Sequence, residues 1–210
     1  MDLDRPADSL GPRVAGLRER VLADFASCRG SRLTDRGEQA ALARLAAREY
    51  THTAGWPEVE RKACFLQAFA AEMPVCIRPG ERIVGSQRFM APPWEAILGP
   101  DAARALDCRG NLGHIVVDYG RVLRRGVAGL RDDIAAMPVR DDCGRRNQAA
   151  FRQVLEALAC FIRRHGDAAA CAGVEDVAAV CHWLAEKPPC TFHQALQLTW
   201  FVQVFLHAES

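Results

Sequence analysis

Residues 188–201 read PPCTFHQALQLTWF and mark the start of the last helix of this chain. Pro188 and Pro189 cannot occupy a helix interior, so the preceding structure must end before them. Thr191 and Gln194 have the spacing of a capping box, in which each side chain bonds to a backbone N–H of the first turn. Apolar residues then occupy nearly every face of the helix up to Leu206. Such a helix is normally buried, and we expect this chain to be the front part of a larger protein.

The bulk composition is that of an ordinary globular protein. Half of the 210 residues are hydrophobic and a quarter are charged, and the length suits one large domain. The 27 basic and 26 acidic residues nearly cancel, so no electrostatic feature favours a nucleic acid or a membrane as partner. No apolar run has the length of a membrane span. Because the first residues, MDLDRP, do not resemble a signal peptide, we expect a cytoplasmic protein.

Nine cysteines are present, and no two have the spacing C-x-x-C. In an intracellular chain of this size, reduced thiols are expected rather than a disulfide framework. Cys181, His182, Cys190 and His193 form the densest group of metal-ligating residue types, but their spacing matches no common zinc pattern. We therefore expect no metal site, with the helical cysteines serving as small apolar residues.

The apolar periodicity is helical almost throughout the chain. It predicts a helix from Pro12, a second capped by Thr34, and a third that begins at Pro57 and ends at Pro74. Further helices are predicted near Asp118, over 147–164, over 167–186, and from Thr191. A Pro-Gly turn between short β-branched runs predicts one small β element near 75–90. The fold class is therefore mostly α.

Three blocks, in this order, resemble one family. The first is WPEVERKA at 56–63, which runs into MPVCIRPGERIVG at 73–85; the second is GHIVVDY at 113–119 with GVAGL at 126–130; the third is 188–201. Together they resemble the N-terminal region of glycyl radical enzymes, the pyruvate formate-lyase-like family, over about residues 13 to 210. The resemblance implies that 1–210 is a partial domain, the helical N-terminal layer of an α/β barrel.

The same resemblance implies a chemistry and a set of partners. In this family a glycine near the C-terminus stores a radical that a separate activating enzyme installs with S-adenosylmethionine and an iron–sulfur cluster. The radical passes to a barrel cysteine, whose thiyl abstracts hydrogen from a small-molecule substrate. Expected partners are therefore the substrate, the activating enzyme and either a second copy or the remaining barrel polypeptide. We expect no cofactor bound by this chain itself.

Neither radical motif of the family is found in this chain. The radical cysteine normally lies between Gly and an aliphatic residue followed by Glu, and none of the nine cysteines has that context. RVAGL at 13–17 is similar to the radical-glycine motif, but it lies near the N-terminus, has Leu17 in place of an aromatic residue, and follows the apolar phase of the first helix. We expect no catalytic residue here and no activity of the chain alone.

His114, in the second block, is the candidate substrate-binding residue. Pyruvate formate-lyases carry an arginine at the matching position, which suits a carboxylate, whereas dehydratase-type members carry a histidine that faces the substrate hydroxyl. A neutral imidazole can both donate to and accept from a hydroxyl. The resemblance therefore favours a radical lyase or dehydratase of a hydroxylated substrate. Three alternatives remain: a formate C-acetyltransferase-type enzyme, a stand-alone helical interaction protein, and a His114 that merely caps a helix or fills the core.

Overall fold

The computed structural model describes residues 11–27, 35–78, 80–89, 94–105 and 116–208. Within these ranges the secondary structure is helical, as predicted. The helices are α1 Pro12–Ser27, α2 Arg36–His52, α3 Glu58–Glu72, α4 Trp94–Leu98, α5 Pro100–Ala105, α6 Tyr119–Ala135, α7 Asp142–Cys171, α8 Glu175–Glu186 and α9 Phe192–His207. Among the described residues, no helix combines the length and apolar character needed to cross a membrane.

Several predicted helix boundaries are confirmed, and each has a local cause. Pro12 begins α1, Pro57 precedes α3 as its N-cap, and Thr191 caps α9 with the full capping box to Gln194. The cap of α2 is Asp35, whose carboxylate accepts from the Glu38 N–H at 3.0 Å. Thr34, predicted as this cap, lies outside the described residues.

Two helices cover the stretch predicted as helices over 147–164 and 167–186, but the predicted break between them near 165–166 is wrong. A single helix, α7, runs from Asp142 through Gly166 to Cys171, and α8 begins only at Glu175. Gly166 therefore does not end the helix. It lies where α8 packs against α7. A Cβ on Gly166 would lie 2.5 Å from Cδ2 of His182. The absence of a side chain therefore allows the two helices to pack closely.

The small β element predicted near 75–90 is also absent among the described residues of that stretch. Residues 75–78 and 84–87 have no assigned secondary structure. The backbone N–H and C=O of Val84 bond to the Gln197 side chain instead of to a neighbouring strand. The β-branched sequence thus correctly indicates a non-helical segment. Its backbone, however, bonds to a side chain of α9 and not to another strand.

The core lies between α3, α7, α8 and α9 and is rich in aromatic rings. Phe69 is at its centre, with its ring centroid 5.3 to 5.6 Å from those of Phe89, Phe161 and Phe205. The Arg164 guanidinium donates to the carbonyl oxygens of Ala70 and Met73 and so ties α7 to the end of α3. These contacts form the base on which the last helix, α9, is packed.

Candidate functional site

His114 lies outside the described residues, but the helix that follows it is well defined. The described chain resumes at Val116, whose side chain is 94% exposed, and Asp118 caps α6 by accepting from the Arg121 N–H at 2.9 Å. Asp118 thus marks the start of the helix predicted near this residue, at a position where the helix dipole favours an acid.

The first residue of α6 is hydrogen-bonded to the last turns of α9. The Tyr119 hydroxyl donates to Oε1 of Gln203 at 2.8 Å, and Nε2 of Gln203 contacts Nε2 of His207 at 2.6 Å. Burial raises the pKa of Tyr119 and lowers the pKa of His207, so both groups are favoured in their neutral forms. The result is a polar chain of phenol, amide and imidazole at the junction of the two helices.

A second set of α9 side chains holds the segment of the first block. Gln197 is fully buried and makes two bonds of 2.8 Å, accepting from the Val84 N–H and donating to the Val84 carbonyl. Trp200 Nε1 donates to the Gly85 carbonyl at 2.9 Å, and His193 Nε2 donates to the Arg82 carbonyl at 2.5 Å. One face of α9 therefore supplies the hydrogen bonds that a neighbouring strand would otherwise make.

The second block also meets the third where α6 bends. Gly126 interrupts α6 with φ 62° and ψ 178°, a conformation open essentially to glycine alone. A Cβ at this position would lie 2.8 Å from both Cα and N of Pro188. The bend therefore leaves space for the double-proline linker that leads into α9.

The structure thus brings together the described parts of all three blocks on α9 and its leading linker. Sequence reasoning singled out the start of α9 but missed the roles of Gln197, Gln203 and His207. A signal was present: these polar residues recur at four- and three-residue spacing with His193 and Trp200 in an otherwise apolar helix, which places them on adjoining faces.

The other candidate residues of the sequence do not gather into a site. His182 Nε2 bonds to Asp167 Oδ1 at 3.0 Å, whereas His193 is bonded to the Arg82 carbonyl. Burial raises the pKa of Cys181 to about 12, so this thiol is a packing group. Within the described ranges, no group of three or more His, Cys, Asp or Glu residues could hold a metal ion.

Arg13 to Leu17, the segment similar to a radical-glycine motif, lies within α1. Its Arg13 guanidinium donates to the Gly80 carbonyl at 2.9 Å. A groove of about 470 Å³ lies elsewhere, between α3, α6 and α7, and its lining is mainly aliphatic, with Lys62 and Arg121 as its charged members. None of the α9 residues described above contributes to it.

Comparison with known proteins gives one consistent result. A sequence profile described as pyruvate formate lyase-like matches residues 105–210. Isethionate sulfite-lyase of Nitratidesulfovibrio vulgaris is 31% identical in an alignment 113 residues long that covers 45% of this chain and 14% of that protein. The probable dehydratase YbiW of Escherichia coli is 30% identical in an alignment 131 residues long that covers 52% of this chain and 16% of that protein. The chain thus spans a small part of the length of these curated relatives.

Solved structures give the same result for the fold. Hydroxyproline dehydratase from Clostridioides difficile matches 96% of this chain and 34% of its own, with a TM-score of 0.66 at 16% identity. The B12-independent glycerol dehydratase from Clostridium butyricum matches 83% of this chain and 33% of its own, with a TM-score of 0.61 at 19% identity. A glycyl radical enzyme from Archaeoglobus fulgidus matches with a TM-score of 0.64. The helices described above therefore form a helical portion of the glycyl radical enzyme fold.

Proposed function

Because the chain belongs to the pyruvate formate lyase-like family, we propose that it is the helical N-terminal layer of a glycyl radical lyase or dehydratase acting on a small hydroxylated substrate. The curated relatives include a sulfite-lyase and a probable dehydratase, which supports these classes over acyl transfer. The remaining barrel, with the radical cysteine and the radical glycine, would be supplied by further polypeptide. An activating enzyme with S-adenosylmethionine and an iron–sulfur cluster would install the radical.

In this proposal His114 contacts the substrate. Its neutral imidazole would accept a hydrogen bond from a hydroxyl that the substrate keeps, and would take up the proton that this hydroxyl releases as the leaving group on the neighbouring carbon departs with its bonding electron pair. An arginine at this position would instead favour a carboxylate such as that of pyruvate. The presence of histidine therefore supports a hydroxylated substrate.

The observation that carries the proposal is the convergence of the three blocks on α9. Tyr119, five residues after His114, bonds to Gln203 of this helix. Val84 of the first block bonds to Gln197 of the same helix. The solved structures that share this helical arrangement include glycyl radical enzymes, which supports a part of such an enzyme over a stand-alone helical protein.

The exposed apolar surface of the same helix supports the need for a barrel. Phe192 is 83% exposed and Leu196, one turn further along α9, is 45% exposed. Apolar groups presented side by side to water favour association with another protein surface. We therefore propose that the chain is inactive alone and tends to aggregate when it is purified without its barrel.

The test is reconstitution under anaerobic conditions. The chain is combined with the remaining barrel polypeptide and the activating enzyme, and elimination from small diols and hydroxy acids is measured beside cleavage of pyruvate with a thiol acceptor. We expect elimination from a hydroxylated substrate only when both polypeptides are present. Turnover of pyruvate would favour the acetyltransferase alternative. A chain that stays monomeric and binds little hydrophobic dye without the barrel would favour the stand-alone alternative.

A further inference from the structure

The polar chain of Tyr119, Gln203 and His207 has a defined direction. The Tyr119 hydroxyl donates to the amide oxygen of Gln203 at 2.8 Å, and the amide nitrogen of Gln203 donates to Nε2 of His207 at 2.6 Å. An imidazole nitrogen that accepts a hydrogen bond carries no proton of its own, so this arrangement has a neutral His207 with its proton on Nδ1. The amide thus presents its oxygen to the tyrosine and its nitrogen to the histidine.

The orientation of the amide matters because Gln203 is half-buried in an apolar stretch of α9. Its amide makes two hydrogen bonds within the protein, one to Tyr119 and one to His207. Together these contacts hold the amide oxygen at the phenol, as a pre-organised acceptor. The bond joins residues 84 positions apart in the chain.

We propose that Gln203 is a positioning residue: its amide, which also contacts His207, holds the Tyr119 hydroxyl and so fixes the point at which the chain enters α6. Asp118 caps the helix at this point, but a cap sets only the local conformation. The hydrogen bond from Tyr119 to Gln203 fixes the position of the first turn of α6 relative to α9. This inference rests on the proposed function, because the segment placed in this way leads directly from the proposed substrate contact.

Hydrogen–deuterium exchange of residues 116–123 tests the positioning in the 210-residue chain, or in its complex with the barrel. We expect Gln203→Leu to speed exchange at the start of α6 about fivefold, the equivalent of one lost hydrogen bond. Tyr119→Phe removes only the hydroxyl and should have the same effect. The matched control is Gln148→Leu, because Gln148 donates to carbonyls at the opposite end of α6. In this control the residues that exchange faster should be those near 134–138.

A conservative variant separates positioning from general destabilisation. Gln203→Glu keeps an acceptor for the tyrosine, so it should restore slow exchange at residues 116–123. In the assembled enzyme Gln203→Leu should lower kcat up to about a hundredfold, with a smaller change in KM, because a misplaced contact costs most in the transition state. Gln203→Glu should recover most of that loss, and Gln148→Leu should leave both constants unchanged.

The exchange results decide this inference independently of turnover. Unchanged exchange at residues 116–123 in Gln203→Leu and Tyr119→Phe would overturn it, and so would failure of Gln203→Glu to restore slow exchange. If Gln203→Leu does not fold, Tyr119→Phe alone gives the decision. Unchanged turnover in His114→Ala would refute the proposed substrate contact, while the exchange results would still stand for Gln203.

Discussion

Gly126 and Pro188 approach so closely that a single added carbon would force them apart. A Cβ on Gly126 would lie 2.8 Å from two backbone atoms of Pro188, and the glycine has φ 62°. We expect Gly126→Ala to lower the free energy of unfolding by about 3 kcal/mol, from backbone strain and overpacking together.

Chemical denaturation of wild type and variant measures this change. Gly129→Ala, three residues further along α6, is the control, because Gly129 is helical and the atoms nearest to an added Cβ belong to the Arg125 side chain, at 3.3 Å or more. That control should be neutral or stabilising by up to about 1 kcal/mol. Equal stabilities of the two variants would contradict the close approach.

Gly166 and His182 make a second close contact, at the crossing of α7 and α8. A Cβ on Gly166 would lie 2.5 Å from the His182 ring and 3.2 Å from Cβ of Cys181. We expect Gly166→Ala to cost about 1 to 3 kcal/mol. Adding His182→Ala should recover much of the loss, and a double-mutant cycle of unfolding free energies measures the coupling. If the two unfolding free-energy changes simply add, the His182 ring is not what opposes a side chain at position 166.

The buried side chain of Gln197 bonds to the backbone of Val84, where a neighbouring strand would bond in a sheet. We expect Gln197→Leu to destabilise the chain by about 2 to 4 kcal/mol, because the Val84 N–H and C=O are left without partners in the core. Thr199→Val is the control on the same helix, since Thr199 bonds only to the Ala195 carbonyl of its own helix. Urea unfolding of both variants provides the comparison, and a smaller loss in Gln197→Leu than in the control would refute the assignment.

His165 should make stability depend on pH. Its ring lies between those of Phe161 and Phe201, its Nδ1 donates to the Phe161 carbonyl, and burial lowers its pKa from 6.5 to about 4. Between these two values the unfolded chain binds the proton and the folded chain does not, so stability falls as pH falls through this range. The loss is about 3 kcal/mol at most.

The matching variant is His165→Phe, which keeps an aromatic ring between Phe161 and Phe201 but cannot be protonated. Unfolding free energies of wild type and His165→Phe are measured from neutral pH to about pH 4. The wild type should lose up to about 3 kcal/mol more than the variant over this range, because only the wild type has this proton linkage. Parallel curves for the two proteins would contradict a buried neutral imidazole.

Local sequence signals predicted the features whose causes are local. The capping box of Thr191 and Gln194, the proline at the start of α1 and the acid at the start of α6 depend on neighbours within one helical turn. The three blocks could be recognised for the same reason, because each consists of short runs of neighbouring residues. These signals were sufficient for the helical class and for the family.

The predictions that were wrong depended on partners far along the chain. Gly166 has the sequence signature of a helix end, but its cause is a histidine on the next helix. Residues 75–90 have the signature of a strand, but Val84 is paired with a glutamine 113 positions away. The bond from Tyr119 to Gln203 likewise has no local signature. Hydrophobic periodicity cannot identify these distant partners, because tertiary packing determines which residues meet.

The most direct test of the central claim is the His114→Ala variant of the assembled, activated enzyme. Two quantities are measured on the same sample: the glycyl radical by electron paramagnetic resonance, and elimination from the hydroxylated substrate. We predict an undiminished radical signal with turnover lower by at least about a hundredfold, because the loss is confined to proton handling at the substrate hydroxyl. Unchanged turnover beside the same radical signal would contradict the claim.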